Sequence, residues 1–202
     1  DQLPRYFLIS IFSISYLAYV ATAQLIMNLI IRFCTAICAV LYPRLSSLNY
    51  DSQLNLLYTA VRITLIINAL LFLMLYYLIN VLVLLVYGES YSEVASYIKI
   101  LLPSLYFLVP ARLMEQLISS RGDFGLRILI SIASCLSMVM IMFCFHSRLS
   151  LDVIIVSIAI SNFVQSIVVF VIMKYRYEVQ FRAFLPTKSD LVNILEFFKV
   201  MK

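Results

Sequence analysis

Four blocks of this sequence, Leu56 to Tyr87, Val94 to Ile118, Ile128 to Phe145 and Leu151 to Met173, are almost wholly apolar, and each is bounded by charges or helix breakers. A helix crosses the hydrocarbon core of a bilayer in roughly 20 residues, so each block reads as one membrane span. A fifth block, Tyr6 to Tyr42, would reach about 55 Å as a single helix, nearly twice that core. It is read as two spans, or else as one very long helix. The less apolar stretch Ser13 to Tyr19 is the expected reversal, with a short first span before it and a second from about Val20 to Tyr42, ended by Pro43. The expected fold is all-α: a polytopic transmembrane helix bundle of about six spans, the first truncated.

Composition agrees. Of the 202 residues, 64% are apolar and only 12% charged, and the mean hydropathy is +1.03. A soluble domain has about 45–50% apolar and about 25% charged residues. Too little polar surface remains to coat a water-soluble particle, which excludes a cytosolic globular enzyme, a disordered chain and a fibrous one. At this length the spans leave no separate soluble domain, so function must lie in the bundle. The net charge of +5 does not point to nucleic acid, because the basic residues sit at the ends of apolar runs and form no continuous patch. Cys34, Cys38, Cys135 and Cys144 all fall inside apolar segments and read as small membrane-buried residues rather than a disulfide framework. The sequence opens at Asp1 with no basic region before a short apolar core, so no signal peptide is expected.

The loops test the span count, because successive ends must alternate between the two faces and basic residues favour the cytoplasmic one. With the N-terminus on face one, that face collects Arg5, Arg44, Arg62, Arg121, Arg127, Lys174, Arg176, Arg182, Lys188, Lys199 and Lys202. The other face has Arg148, with Lys99 a turn or two inside, and carries the acids Glu89, Glu93 and Asp152. Both termini are therefore expected in the cytoplasm, with residues 1–175 forming the membrane lobe. Residues 176–202 form a cytoplasmic tail. Past Pro186, Thr187 or Ser189 can cap a short helix in which Leu191, Ile194, Leu195 and Phe198 share a face. That helix is too short to span and suits an anionic leaflet, its alternative being a partly disordered tail.

A charged side chain at mid-bilayer costs about 2.5–3.5 kcal/mol on insertion scales, so charges inside spans usually face the bundle interior. Gln24, Asn28 and Arg32 follow one another at four-residue spacing and form a stripe on one helix face. Arg112, Glu115, Gln116 and Ser119 do the same in the fourth span, where Arg112 can pair with Glu115. Ser157, Ser161, Asn162 and Gln165 give the last span a weaker, uncharged stripe. Three inward stripes predict a hydrated cavity. Their alternative reading is interhelical hydrogen bonding, worth about 0.6 kcal/mol per bond. Arg32 and Arg112 are the candidate cavity cations, suited to an anionic substrate because guanidinium recognises phosphate bidentately. Pro103 and Pro110, seven residues apart, each remove a backbone hydrogen bond and mark a candidate hinge.

Several chemistries lack their residues. With three glycines, no phosphate-cradling loop and no dinucleotide fingerprint occur. The single histidine, His146, has no carboxylate cluster beside it, so neither a metal site nor a cofactor is expected. Glu89 and Glu93 flank Tyr91 in a short turn and read as a hydrated acidic loop. No credible active site emerges, and an enzyme is not expected.

An ordered set of short motifs is similar to one family. Tyr19-Val-Ala-Thr-Ala-Gln-Leu25, with Ala39-Val-Leu-Tyr-Pro-Arg-Leu-Ser46 ending the helix, resembles the eighth helix of bacterial Wzx-type lipid-linked oligosaccharide flippases. Leu84-Leu-Val-Tyr-Gly-Glu-Ser-Tyr91, with Ala95 and Ile100-Leu-Leu-Pro103, is similar to that family's signature between helices nine and ten, and Ser120-Arg-Gly-Asp123 resembles its next turn. The match runs in order over about residues 17 to 175. The resemblance implies the polysaccharide-transporter branch of the MATE-like superfamily, whose members have two six-helix lobes around a central cavity. They carry undecaprenyl-diphosphate-linked glycans, such as O-antigen units for lipopolysaccharide, across the bacterial inner membrane.

On that resemblance this chain is the C-terminal lobe, Asp1 to Tyr16 is the remainder of helix seven, and the N-terminal lobe is missing, either because the chain is a fragment or because the partner lobe is separate. Arg32 and Arg112 would neutralise the diphosphate, Gln24, Asn28 and Asn162 would face sugar, and Glu115 would lie in the same cavity. Membrane lipids, the lipid-linked oligosaccharide and the polysaccharide polymerase and chain-length machinery are the implied partners. Two alternatives stand beside it. A MATE-type drug/cation antiporter would want acidic cavity residues, and a membrane-embedded glycan polymerase or ligase would need a large exterior loop.

Overall fold

The computed structural model describes residues 18–32, 36, 49–145, 150–180 and 184. The described residues form α1 (Ala18–Arg32), α2 (Tyr50–Tyr87), α3 (Ser92–Ser120), α4 (Phe124–Cys144) and α5 (Leu151–Arg176), with a short 3-10 turn, Glu89–Tyr91, leading into α3. No strand occurs among them. Four helices, α2 to α5, are long and apolar enough to cross a membrane. The expected spans agree with these helices to within a turn or so at most ends. The larger difference is at α2, which begins at Tyr50 rather than Leu56. Its polar first turns are helical because Gln53 and Leu57 are packed into the end of the bundle.

Of the two spans expected before Tyr42, the described residues contain α1. The reversal at Ser13 to Tyr19 lies outside the described residues except for Ala18 and Tyr19, which are already helical. Also outside them are Arg5, Cys34, Cys38, Pro43, Arg44, His146, Arg148, Arg182 and the tail helix expected after Pro186.

Helix ends follow local chemistry. Gly88, at φ +80°, closes α2 by donating its N–H to Leu84 O at 3.0 Å. At the end of α3, Gly122 N–H bonds Ser119 O at 3.0 Å and Asp123 N–H bonds Ile118 O at 3.2 Å. That is a Schellman turn, and it needs the left-handed φ of +77° that Gly122 supplies. The Ser150 hydroxyl accepts from Val153 N–H at the start of α5. Asp152 in its first turn and Lys174 and Arg176 in its last complement the helix dipole.

The most extensive contacts join α3 to α5, α2 to α3, and α5 to α4, so the helices lie in the order α2, α3, α5, α4. Helix α1 presses Val20, Ala23 and Met27 into a cluster containing Ile79, Val83, Ile98 and Leu102. A second cluster at the other end holds Leu57, Val61, Met114, Leu117, Ile130 and Met173. There the chain beyond α5 folds back. Glu178 takes φ +51°, Val179 N–H bonds Met173 O at 3.1 Å, and Tyr177, Val179 and Phe184 become buried.

At the two extremes, burial in the bundle runs opposite to hydropathy. Helix α2 contains the most apolar window and only 11% of it is buried, whereas α3 with its leading turn contains the least apolar window and 67% of it is buried. Lipid chains are as apolar as leucine, so small and polar residues, not greasy ones, decide which helix goes inside. Ala95, Ser104, Ala111 and Ser119 of α3 are buried, while Leu70, Tyr77 and Leu85 of α2 and Ile128, Leu136 and Phe143 of α4 point out. Cys135 and Cys144 are on that outer surface of α4.

Candidate functional site

The contact between α3 and α5 contains Arg112 and Glu115, two of the charged residues that the sequence places inside a span. Glu115 is 3% exposed. Arg112, one turn earlier on α3, donates from Nη1 to Glu115 Oε2 at 3.0 Å. From α5, Gln165 donates Nε2 to Glu115 Oε1 at 2.8 Å and is itself buried. Both carboxylate oxygens therefore have a donor, one from each helix. This satisfaction is what allows a carboxylate to be taken out of water, since a buried charge without partners costs several kcal/mol.

A second polar contact lies further along the same interface. Ser104, fully buried, donates its hydroxyl to Leu101 O at 2.7 Å and accepts from Asn162 Nδ2 at 3.2 Å. Pro103 is exposed and Pro110 buried, and α3 remains helical through both. The stripe on α5 divides between neighbours. Asn162 and Gln165 bond to α3, Ser161 bonds Ser134 of α4 with 2.8 Å between the hydroxyls, and Ser157 caps the Ile154 carbonyl of its own helix.

The stripe on α1 is placed differently. Gln24 is half-buried, while Asn28 and Arg32 are exposed on a flank away from the packed Val20, Ala23 and Met27. Of the sequence-derived set, Arg112, Glu115 and Asn162 are thus gathered at one helix–helix contact, and Gln24, Asn28 and Arg32 lie along another flank of α1. Gln116, from the α3 stripe, is half-buried. A small cleft between α1, α2 and α3 is lined mainly by Ile30, Phe72, Leu102 and Leu105, with Asn68 and Tyr106 as its polar members.

Sequence reasoning did not single out Gln165 as a site residue, although its place on the α5 stripe was the available signal. It also missed a cluster at the end of the bundle. The Arg121 guanidinium lies 4.0 Å from the Tyr50 ring centroid and 5.4 Å from that of Tyr177, and it donates to Gln53 Oε1 at 3.1 Å. Tyr50 donates its hydroxyl to Tyr177 O at 2.6 Å. Tyr177 in turn donates to Asp123, which also pairs with Arg176 at 3.4 Å. The Tyr177 hydroxyl holds the Asp123 carboxyl below its usual range, with Arg176 and Arg121 adding to the effect against some desolvation. Burial, then the Asp123 carboxylate, push the Tyr177 phenol up to about 12. This cluster ties the start of α2, the turn after α3 and the chain beyond α5 together.

Among the described residues no group of three histidine, cysteine, aspartate or glutamate side chains could hold a metal ion. An all-helical bundle with four helices long and apolar enough to cross a membrane, and with apolar faces outward, has the architecture of a multi-pass membrane protein. Against known protein families, curated proteins and solved structures, the chain has no match.

Proposed function

We propose that this chain forms the C-terminal lobe of a flippase that moves an undecaprenyl-diphosphate-linked oligosaccharide, the O-antigen or another surface polysaccharide unit. The direction is from the cytoplasmic to the periplasmic leaflet of the bacterial inner membrane, by alternating access. The observation that carries the reading is the Arg112–Glu115–Gln165 set, a satisfied charge cluster at the contact between two apolar helices. Charges retained at such cost usually mark a substrate pathway. The ordered motifs from Tyr19 to Asp123 add the family resemblance. In this reading no bond is made or broken, so the protein is a transporter and not an enzyme, and an N-terminal lobe completes the cavity. Arg32 and Arg112 supply positive charge to the diphosphate, Gln24, Asn28 and Asn162 meet sugar, and Pro103 and Pro110 bend α3 as the lobes rock.

One observation favours the antiporter alternative: Glu115 is buried, as the carboxylate of a cation site would be. Complementation decides between them. The full open reading frame around this segment, expressed in a strain lacking its O-antigen flippase, is expected to restore surface glycan, and Arg32→Ala at matched membrane levels is expected to lose it. Failure of the well-expressed wild type to restore any of several lipid-linked glycans rejects the flippase reading in favour of the antiporter.

A further inference from the structure

Arg112 and Glu115 are unequally exposed. The Arg112 side chain is 31% exposed while that of Glu115 is 4% exposed, so a buried carboxylate is paired with a partly exposed arginine. Guanidinium carries five N–H donors, and among the described residues the only hydrogen bond of Arg112 is the one to Glu115. The carboxylate, by contrast, retains a donor if Arg112 leaves, because Gln165 bonds its other oxygen from the opposite helix.

We infer that Glu115 is the resident counter-anion of Arg112, exchanged for the phosphates of an anionic ligand, and that Gln165 is the positioning residue that holds the released carboxylate. The inference rests on the flippase reading for the ligand's identity, a lipid-linked diphosphate, but the exchange itself rests on the three side chains. Its physics is a competition. A neutral ligand gives Arg112 no reason to leave a buried carboxylate, since breaking such a pair leaves an uncompensated charge. A diphosphate offers several oxygens in the bidentate geometry that guanidinium prefers. The exchange therefore selects for multiply charged ligands, and its set point depends on how well Glu115 is satisfied without Arg112.

Two substitutions next to the same arginine must then act in opposite directions. In the full-length protein in lipid nanodiscs, Glu115→Gln keeps the side chain's shape and its bond from Gln165 but removes the competing charge, so inorganic pyrophosphate should bind about tenfold tighter. Gln165→Leu removes the donor that steadies the freed carboxylate, so pyrophosphate should bind several-fold more weakly. Orthophosphate should gain relative to pyrophosphate in Glu115→Gln, because the barrier that rejected it is gone. Both variants weakening, either leaving affinity unchanged, or no pyrophosphate binding to wild type and Glu115→Gln alike, overturns the inference. The opposed signs separate exchange from a merely structural role, which predicts losses in both. Surface-glycan restoration by the wild type without the opposed shifts leaves the flippase reading standing and removes the exchange. Opposed shifts without restoration do the reverse.

Discussion

Tyr177 donates its hydroxyl to Asp123 Oδ2 at 2.5 Å, joining the first residue after α5 to the turn between α3 and α4. With Arg121 against the rings of Tyr50 and Tyr177, this bond closes the end of the bundle where the second core cluster lies.

The pair makes stability depend on pH at both extremes. Asp123 is shifted below 3.8 in the folded state, so it binds fewer protons than the unfolded chain in acid. Its contribution is present above the unfolded value and is lost as pH falls through the folded one. Tyr177 is raised from 10.0 to about 12, so its contribution is complete below pH 10.0 and is lost as pH rises towards 12. Tyr177→Phe should lower thermal stability near neutrality, because the Asp123 carboxylate loses its phenolic donor, and the wild-type advantage should narrow between pH 10 and 12. An advantage that stays constant over that interval would contradict the assignment.

Two glycines three residues apart should respond oppositely to alanine. A Cβ at either Gly122 or Gly125 meets nothing within 4 Å, so packing does not distinguish them. Backbone conformation does. Gly122 lies at φ +77°, where an L side chain costs about 1–2 kcal/mol, whereas Gly125 lies within helix α4, where alanine is favoured by up to about 1 kcal/mol. Melting of the two variants in one detergent tests the order: Gly122→Ala below wild type, Gly125→Ala at or above it.

The Ser104–Asn162 contact is suited to a double-mutant cycle. Interhelical hydrogen bonds in membranes average about 0.6 kcal/mol, so Ser104→Ala and Asn162→Ala should each destabilise, with a coupling energy near about 0.6 kcal/mol. Strict additivity would mean that Asn162 is not braced against α3 by Ser104.

Much of the architecture is visible in the sequence because it depends on local rules. Gly88 and Gly122 stop helices through their own backbone freedom, and the long apolar blocks between charges become α2 to α5. Arg112 and Glu115 are three residues apart, so any helix through them brings the two charges to one face, and the 3.0 Å pair follows. Gln165 shows the limit. Its stripe on α5 is readable, but the neighbour it meets is not, because Glu115 lies 50 residues away and approaches only through packing of α3 on α5. The cluster of Tyr50, Arg121 and Tyr177 was hidden for the same reason.

The sequence by itself determined that this chain is a set of apolar helices, where most of them end, and which charges lie within them, since each of those properties belongs to a segment of a few turns. Only the tertiary structure decided which helix is central. Hydropathy ranks α3 last among the four spans, yet α3 is the most buried, because lipid rewards apolar surface on the outside as well as protein does within. Burial of Glu115, exposure of Arg32 and division of the α5 serines and amides between two neighbours follow from that arrangement. They are properties of contacts between segments, and no single segment contains them.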